Sequence, residues 1–175
     1  MSKQALDEQQ LEQFHQTGHL TVDRLFDSQT IQSVLDDLVI WSRDFLKSLS
    51  EKERHWYVEK SDDETNRLRK LDNPAFHRES FSELGTHALL VPLIQQLIGS
   101  ETHLFFSQVF MKPPGVGGPK PIHQDNFYFG PDDLDATLTV WIALDDATTS
   151  NGCLHYCNQH QTEVLPHVAP KDEPF

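Results

Sequence analysis

A histidine and an aspartate two residues apart, His123-Gln124-Asp125, carry the clearest chemical potential in this sequence. They follow a Pro/Gly-rich approach, Lys112-Pro113-Pro114-Gly115-Val116-Gly117-Gly118-Pro119, and precede an aromatic run, Phe127-Tyr128-Phe129. Alternate side chains of a strand share a face, so a strand here would aim His123 and Asp125 at one point. An imidazole and a carboxylate are two of the three ligands of the facial triad that holds non-haem Fe(II) with open positions for oxygen and a cosubstrate. The competing reading is a strand-edge histidine hydrogen-bonded to a neighbouring acid.

Spacing alone does not separate these readings, because roughly one or two copies of H-x-D/E are expected by chance at this composition. His77-Arg78-Glu79 is a second copy and acts as an internal control. It lies in a polar segment read as helix, where residues two apart do not face each other. Cys153, His155 and Cys157 would share one face of an expected strand and could offer thiolate and imidazole to zinc, although the spacing is not that of a knuckle.

The elements that must position these groups change character along the chain. Leu6, Leu11 and Phe14 suggest a short amphipathic helix closed by Gly18, followed by a short strand at His19-Leu20-Thr21-Val22. From Ser28, a plausible N-cap, apolar residues from Ile31 to Leu46 keep helical spacing. Residues 50 to 85 are charged and irregular. Leu89 to Ile98 reads as a helix with Pro92 in its first turn and Gly99 as its stop. After Ser100 the pattern becomes strand-like, over His103–Met111, Ile122–Phe129, Ala136–Leu144 and Cys153–Tyr156. Helices first and strands afterwards predict one α+β domain over 1–175, mainly helical over 1–100, whose strands over 101–175 begin a jelly roll.

The 175 residues suffice for one domain and a core, with 37% hydrophobic residues including 11 Phe. A net charge of -13 argues against nucleic acid or an anionic membrane as the main partner and leaves a small-molecule substrate. The start of the chain lacks a signal-peptide core and no apolar run approaches a membrane span, so a cytoplasmic address is expected. The two cysteines are then expected to be reduced.

The order Lys112-Pro113-Pro114, His123-Gln124-Asp125, Val140-Trp141-Ile142-Ala143-Leu144-Asp145-Asp146-Ala147-Thr148 and Asn151-Gly152-Cys153-Leu154 resembles the phytanoyl-CoA dioxygenase family. The opening Phe14-His15-Gln16-Thr17-Gly18-His19-Leu20-Thr21-Val22 is similar to that family's first helix and strand. The resemblance implies a double-stranded β-helix (cupin-like) fold and an Fe(II)- and 2-oxoglutarate-dependent oxygenase, with ascorbate as a reductant. It implies that His123 and Asp125 are iron ligands, and that Lys70, Gln124 and Trp141 lie at the cosubstrate. Asp125 also argues against halogenase chemistry, which vacates that carboxylate for chloride.

Two further parts of the family pattern are missing. A distal histidine should complete the triad, and an arginine should pair the far carboxylate of 2-oxoglutarate. No arginine follows Arg78, and His155, His160 and His167 fall ahead of the distal ligand's place. The family pattern continues beyond Lys171-Asp172-Glu173-Pro174-Phe175, so the sequence reads as the first part of a longer domain, inactive alone. A naturally short, non-catalytic binding or regulatory relative is the alternative.

Overall fold

The computed structural model describes residues 5–59 and 67–167. Chain ends and caps set the first helices. Helix α1 (Glu8–Thr17) opens on a capping box, in which Asp7 Oδ1 accepts from Gln10 N at 2.8 Å and Gln10 Oε1 accepts from Asp7 N at 3.0 Å. It ends at Gly18, whose φ of 78° is the left-handed cap that glycine supplies most cheaply. Helix α2 (Ser28–Ser48) is capped by Asp27, which accepts from Thr30 N at 2.7 Å. The expected cap Ser28 is instead the first helical residue. Asp27 is held below the usual carboxylate range, first by that backbone hydrogen bond.

The charged stretch after residue 50 is more ordered than its composition suggests. It forms helix α3 (Glu51–Tyr57), strands β1 (Val58–Glu59) and β2 (Arg67–Leu68), strand β3 (Lys70–Asp72), and helices α4 (Pro74–His77) and α5 (Glu79–Gly85). Helix α6 (Val91–Ile98) follows, with proline in its first turn and Gly99 as its left-handed cap. Strand β4 (Gln108–Phe110) then pairs antiparallel with β3, matching Leu71 to Val109. β1 and β2 form a separate antiparallel pair.

The core lies where these elements meet. Val34, Leu68, Leu71, Phe81, Leu84 and Val109 are buried together, with Trp41 and Phe45 packed against them. A polar bolt fixes α2 to the junction of α4 and α5. Both the Nε and Nη2 of Arg78 donate to Asp37, and Ser80 Oγ donates to the other carboxylate oxygen at 2.5 Å. This pairing holds Asp37 below its ordinary pKa, the Arg78 hydrogen bond being the largest cause.

The second half departs from the strand expectation. Of the expected His103–Met111 strand, only Gln108–Phe110 enters a ladder. His19–Val22, Ala136–Leu144 and Cys153–Tyr156 have no ladder partner among the described residues. Ile142 and Leu144 still pack on the core while Trp141 and Ala143 face out, the alternation of a half-buried strand. The expected Ile122–Phe129 strand is corrected outright, because Asp125–Phe129 is a helical turn, α7. Gly130, with φ 56°, closes it by donating to Asn126 O. The described residues thus form a mixed helical structure with two small sheets. No described helix is long and apolar enough to cross a membrane.

Candidate metal-binding turn

His123 and Asp125 come together by a route other than strand alternation. The backbone passes from extended at Gln124 into α7, which folds Asp125 back towards His123. His123 Nε2 lies 3.4 Å from Asp125 Oδ1, and the two side chains are 31% and 38% exposed. The other atom of each group is already held. His123 Nδ1 lies 2.8 Å from Pro121 O, so Nδ1 carries a proton, and in the neutral ring the Nε2 lone pair is free. Thr139 Oγ1 donates to Asp125 Oδ2 at 2.7 Å, which leaves Oδ1 facing the imidazole.

Two acceptors therefore face each other, and a cation between them satisfies both. Bonds of about 2.1 Å meeting at about 90–110° put donor atoms about 3.0–3.4 Å apart. The observed separation fits that span, and nitrogen plus carboxylate oxygen suits a divalent first-row ion such as Fe(II). The carbonyl on Nδ1 is the kind of partner that orients metal-bound histidines. When the ring is charged, the same contact serves as an ion pair.

Among the described residues, no three His, Cys, Asp or Glu side chains form a metal-binding group. His77, His155 and His160 have other neighbours. His155 Nε2 lies 3.8 Å from Cys153 Sγ, and His160 packs beside Gly18. The control histidine His77 tilts against Trp41, while the adjacent Arg78 serves the bolt to Asp37.

The three other sequence candidates sit in different settings. Lys70 is on β3 and only 9% exposed, so it is no solvated surface lysine. Its Nζ is 3.4 Å from Asp72 Oδ2 and 5.5 Å from the Tyr57 ring centroid. Burial, and next the charge of Asp72, push the Tyr57 phenol upward. Trp141 is half-exposed on the outward side of its segment. Gln124 is turned towards the chain at 163–165: its Nε2 donates to Glu163 O at 3.1 Å and its Oε1 accepts from Leu165 N at 2.8 Å.

Sequence reading missed Thr139, Pro121 and Tyr156. Nothing in a lone threonine announces its contact with Asp125. Tyr156 stacks on His19 at 5.1 Å with rings 7° apart. Its phenol is pushed up, first by the protein around it and then by the charge of Asp125. The Lys112 and Gly152 motifs also meet. A Cβ on Gly152 would sit 2.9 Å from Lys112 Cδ and 3.0 Å from its Nζ.

Residues 14–173 match the phytanoyl-CoA dioxygenase (PhyH) family. The chain belongs to that family. It is 25% identical over 160 residues to a probable alpha-ketoglutarate-dependent hypophosphite dioxygenase of Stutzerimonas stutzeri, covering 91% of this chain and 55% of that protein. It is 37% identical over 87 residues to phytanoyl-CoA dioxygenase 1 of Oryza sativa subsp. japonica, covering 50% of this chain and 28% of that protein. A phytanoyl-CoA dioxygenase of Arabidopsis thaliana is 46% identical over 48 residues, 27% of this chain and 17% of that protein. The chain thus spans about half, or less, of the length of these relatives.

Proposed function

We propose that this chain carries the first two iron ligands of an Fe(II)- and 2-oxoglutarate-dependent dioxygenase that hydroxylates a small organic molecule. The observation that carries the reading is the convergence of His123 Nε2 and Asp125 Oδ1, at 3.4 Å, in a member of the PhyH family. The name of the Stutzerimonas relative, which matches most of the chain, supports 2-oxoglutarate as cosubstrate. Its substrate is not carried over.

His123 binds the metal through Nε2 while Pro121 keeps its proton on the far nitrogen. Asp125 binds through Oδ1 while Thr139 holds the other oxygen and prevents the carboxylate from rotating. When bound, the iron with 2-oxoglutarate supplies the oxidising power that couples decarboxylation of the cosubstrate to hydroxylation of the substrate. Ascorbate would serve as the external reductant. Lys70, shared with Asp72, would offer its cation to a cosubstrate carboxylate, and Trp141 would offer its exposed indole to the cosubstrate. Gln124 belongs to the same turn.

The reading requires a third ligand and a carboxylate-anchoring arginine in addition to His123 and Asp125, and among the described residues no third His, Cys, Asp or Glu joins them. It also requires further strands to pair with 136–144 and 153–156 and complete a double-stranded β-helix. Exposed apolar side chains at Ile122, Val140, Trp141 and Leu154 support such a covering.

The test is succinate formation from 2-oxoglutarate by the native-length protein supplied with Fe(II). Turnover that disappears in Asp125→Ala supports the assignment. Turnover unaffected by that substitution removes it.

A further inference from the structure

Segment 163–167 is fastened to the metal-binding turn by more contacts than chain proximity requires. The Gln124 side chain spends both ends of its amide on that segment's backbone, at Glu163 O and Leu165 N. In return, His167 Nε2 accepts the backbone N–H of Gln124 at 2.6 Å. His167 Nδ1 donates to Leu165 O at 2.6 Å, which fixes the neutral tautomer needed for that acceptance. The imidazole also stacks on Phe127, with centroids 4.3 Å apart and planes 16° apart. Tyr128, in the same turn, stands edge-on to both His123 and His167, at 5.6 Å and 6.4 Å.

These contacts hold the residue between the two ligands and the helical turn that begins at the second. The backbone angles about Gln124 help set how close His123 Nε2 comes to Asp125 Oδ1, because that residue is the covalent link between them, while Pro121 and Thr139 hold the two side chains. We propose that 163–167 is a latch that sets the spacing of the metal pair, with Gln124 and His167 as positioning residues. Gln124 then acts on the ligands through the backbone and not by touching the cosubstrate. The inference rests on the reading of His123 and Asp125 as metal ligands.

Three substitutions in the native-length protein separate the possibilities. His167→Phe keeps an aromatic ring over Phe127 but removes the acceptor. His167→Gln restores an acceptor without the ring, and His123→Ala removes the metal pair. Amide hydrogen exchange of Gln124 reads the latch without metal, and Co(II) titration reads its effect on the pair. His167→Phe is expected to speed exchange at Gln124 and weaken Co(II) binding about ten-fold, the usual size for loss of an outer partner. His167→Gln should recover part of both, with exchange in β3 and β4 unchanged throughout. Unchanged Gln124 exchange in His167→Phe overturns the latch, as does faster exchange spread through the core strands. Co(II) binding that survives His123→Ala refutes the metal reading instead, and the exchange result still decides the latch.

Discussion

Two regions of this molecule bury their apolar residues to very different degrees. Every buried apolar side chain among the described residues lies at or before Val109, from Leu6 through Leu71 to Val109 itself. From residue 122 onward no described large apolar side chain is buried: Leu134, Leu138, Ile142 and Leu144 are partly covered and most of the others are exposed, with Ile122 reaching 83%. The first region is held by a shared core and a β ladder. The second is held by capped turns and by polar side chains bonding to backbone, such as Gln124 and Asn151, whose Nδ2 donates to Asp146 O at 2.6 Å. Apolar burial supplies most folding free energy, whereas individual hydrogen bonds contribute about 1 kcal/mol each. The region that carries the candidate metal-binding turn is therefore the weaker one, and covering its apolar side chains is what would stabilise it.

The sharpest contrast pairs Leu71 with Ile122. Leu71→Ala, at a fully buried position, is expected to cost about 3 kcal/mol in urea unfolding. Ile122→Ala should stay within about 0.5 kcal/mol in this chain. A clear rise in the Ile122 cost in a longer form of the protein would show that added chain covers that side chain. Equal costs at both positions in the 175-residue protein would break the comparison.

Next in size is the Asp37–Arg78 bolt of the first region. Asp37→Asn should cost about 2 kcal/mol at neutral pH, since it leaves a partly buried guanidinium without its charged partner. Because the Asp37 pKa is lowered in the fold, its contribution is complete above the ordinary aspartate pKa. It fades as the pH falls below about 4, through the lowered folded value. Wild type and Asp37→Asn should therefore converge in stability in acid, and a constant difference across pH would contradict the assignment.

A smaller effect tests the second region. Gly152 has φ 87°, so Gly152→Ala should cost about 1 kcal/mol from backbone strain. Lys112→Ala should not rescue it, because the strain is in the turn and Lys112 offers only the flexible end of its side chain to the new Cβ. Asp27→Ala should lower the thermal midpoint only slightly through loss of the α2 cap, and an unchanged midpoint would contradict that role.

Legibility followed the same division. Helices α1, α2 and α6 announced themselves through 3.6-residue periodicity and glycine stops at Gly18 and Gly99, which are local signals. The β3–β4 ladder was not legible, because its pairing joins residues about forty apart and Lys70 sits in a run that reads as solvated. At the candidate site the residue types were visible but the geometry was not. Asp125 at the start and Gly130 after the end bracket one helical turn, a signal overridden by the β-prone aromatics between them. The Thr139 contact depends on a fold-level approach between residues 125 and 139, which no local pattern encodes.

His123 and Asp125 are proposed to hold the iron jointly. Anaerobic addition of Fe(II) and 2-oxoglutarate to the native-length protein tests it through the visible charge-transfer band of the chelated cosubstrate. The account predicts a band that is lost in both His123→Ala and Asp125→Ala while the fold melts as in wild type. A band that persists in either variant would place the metal elsewhere.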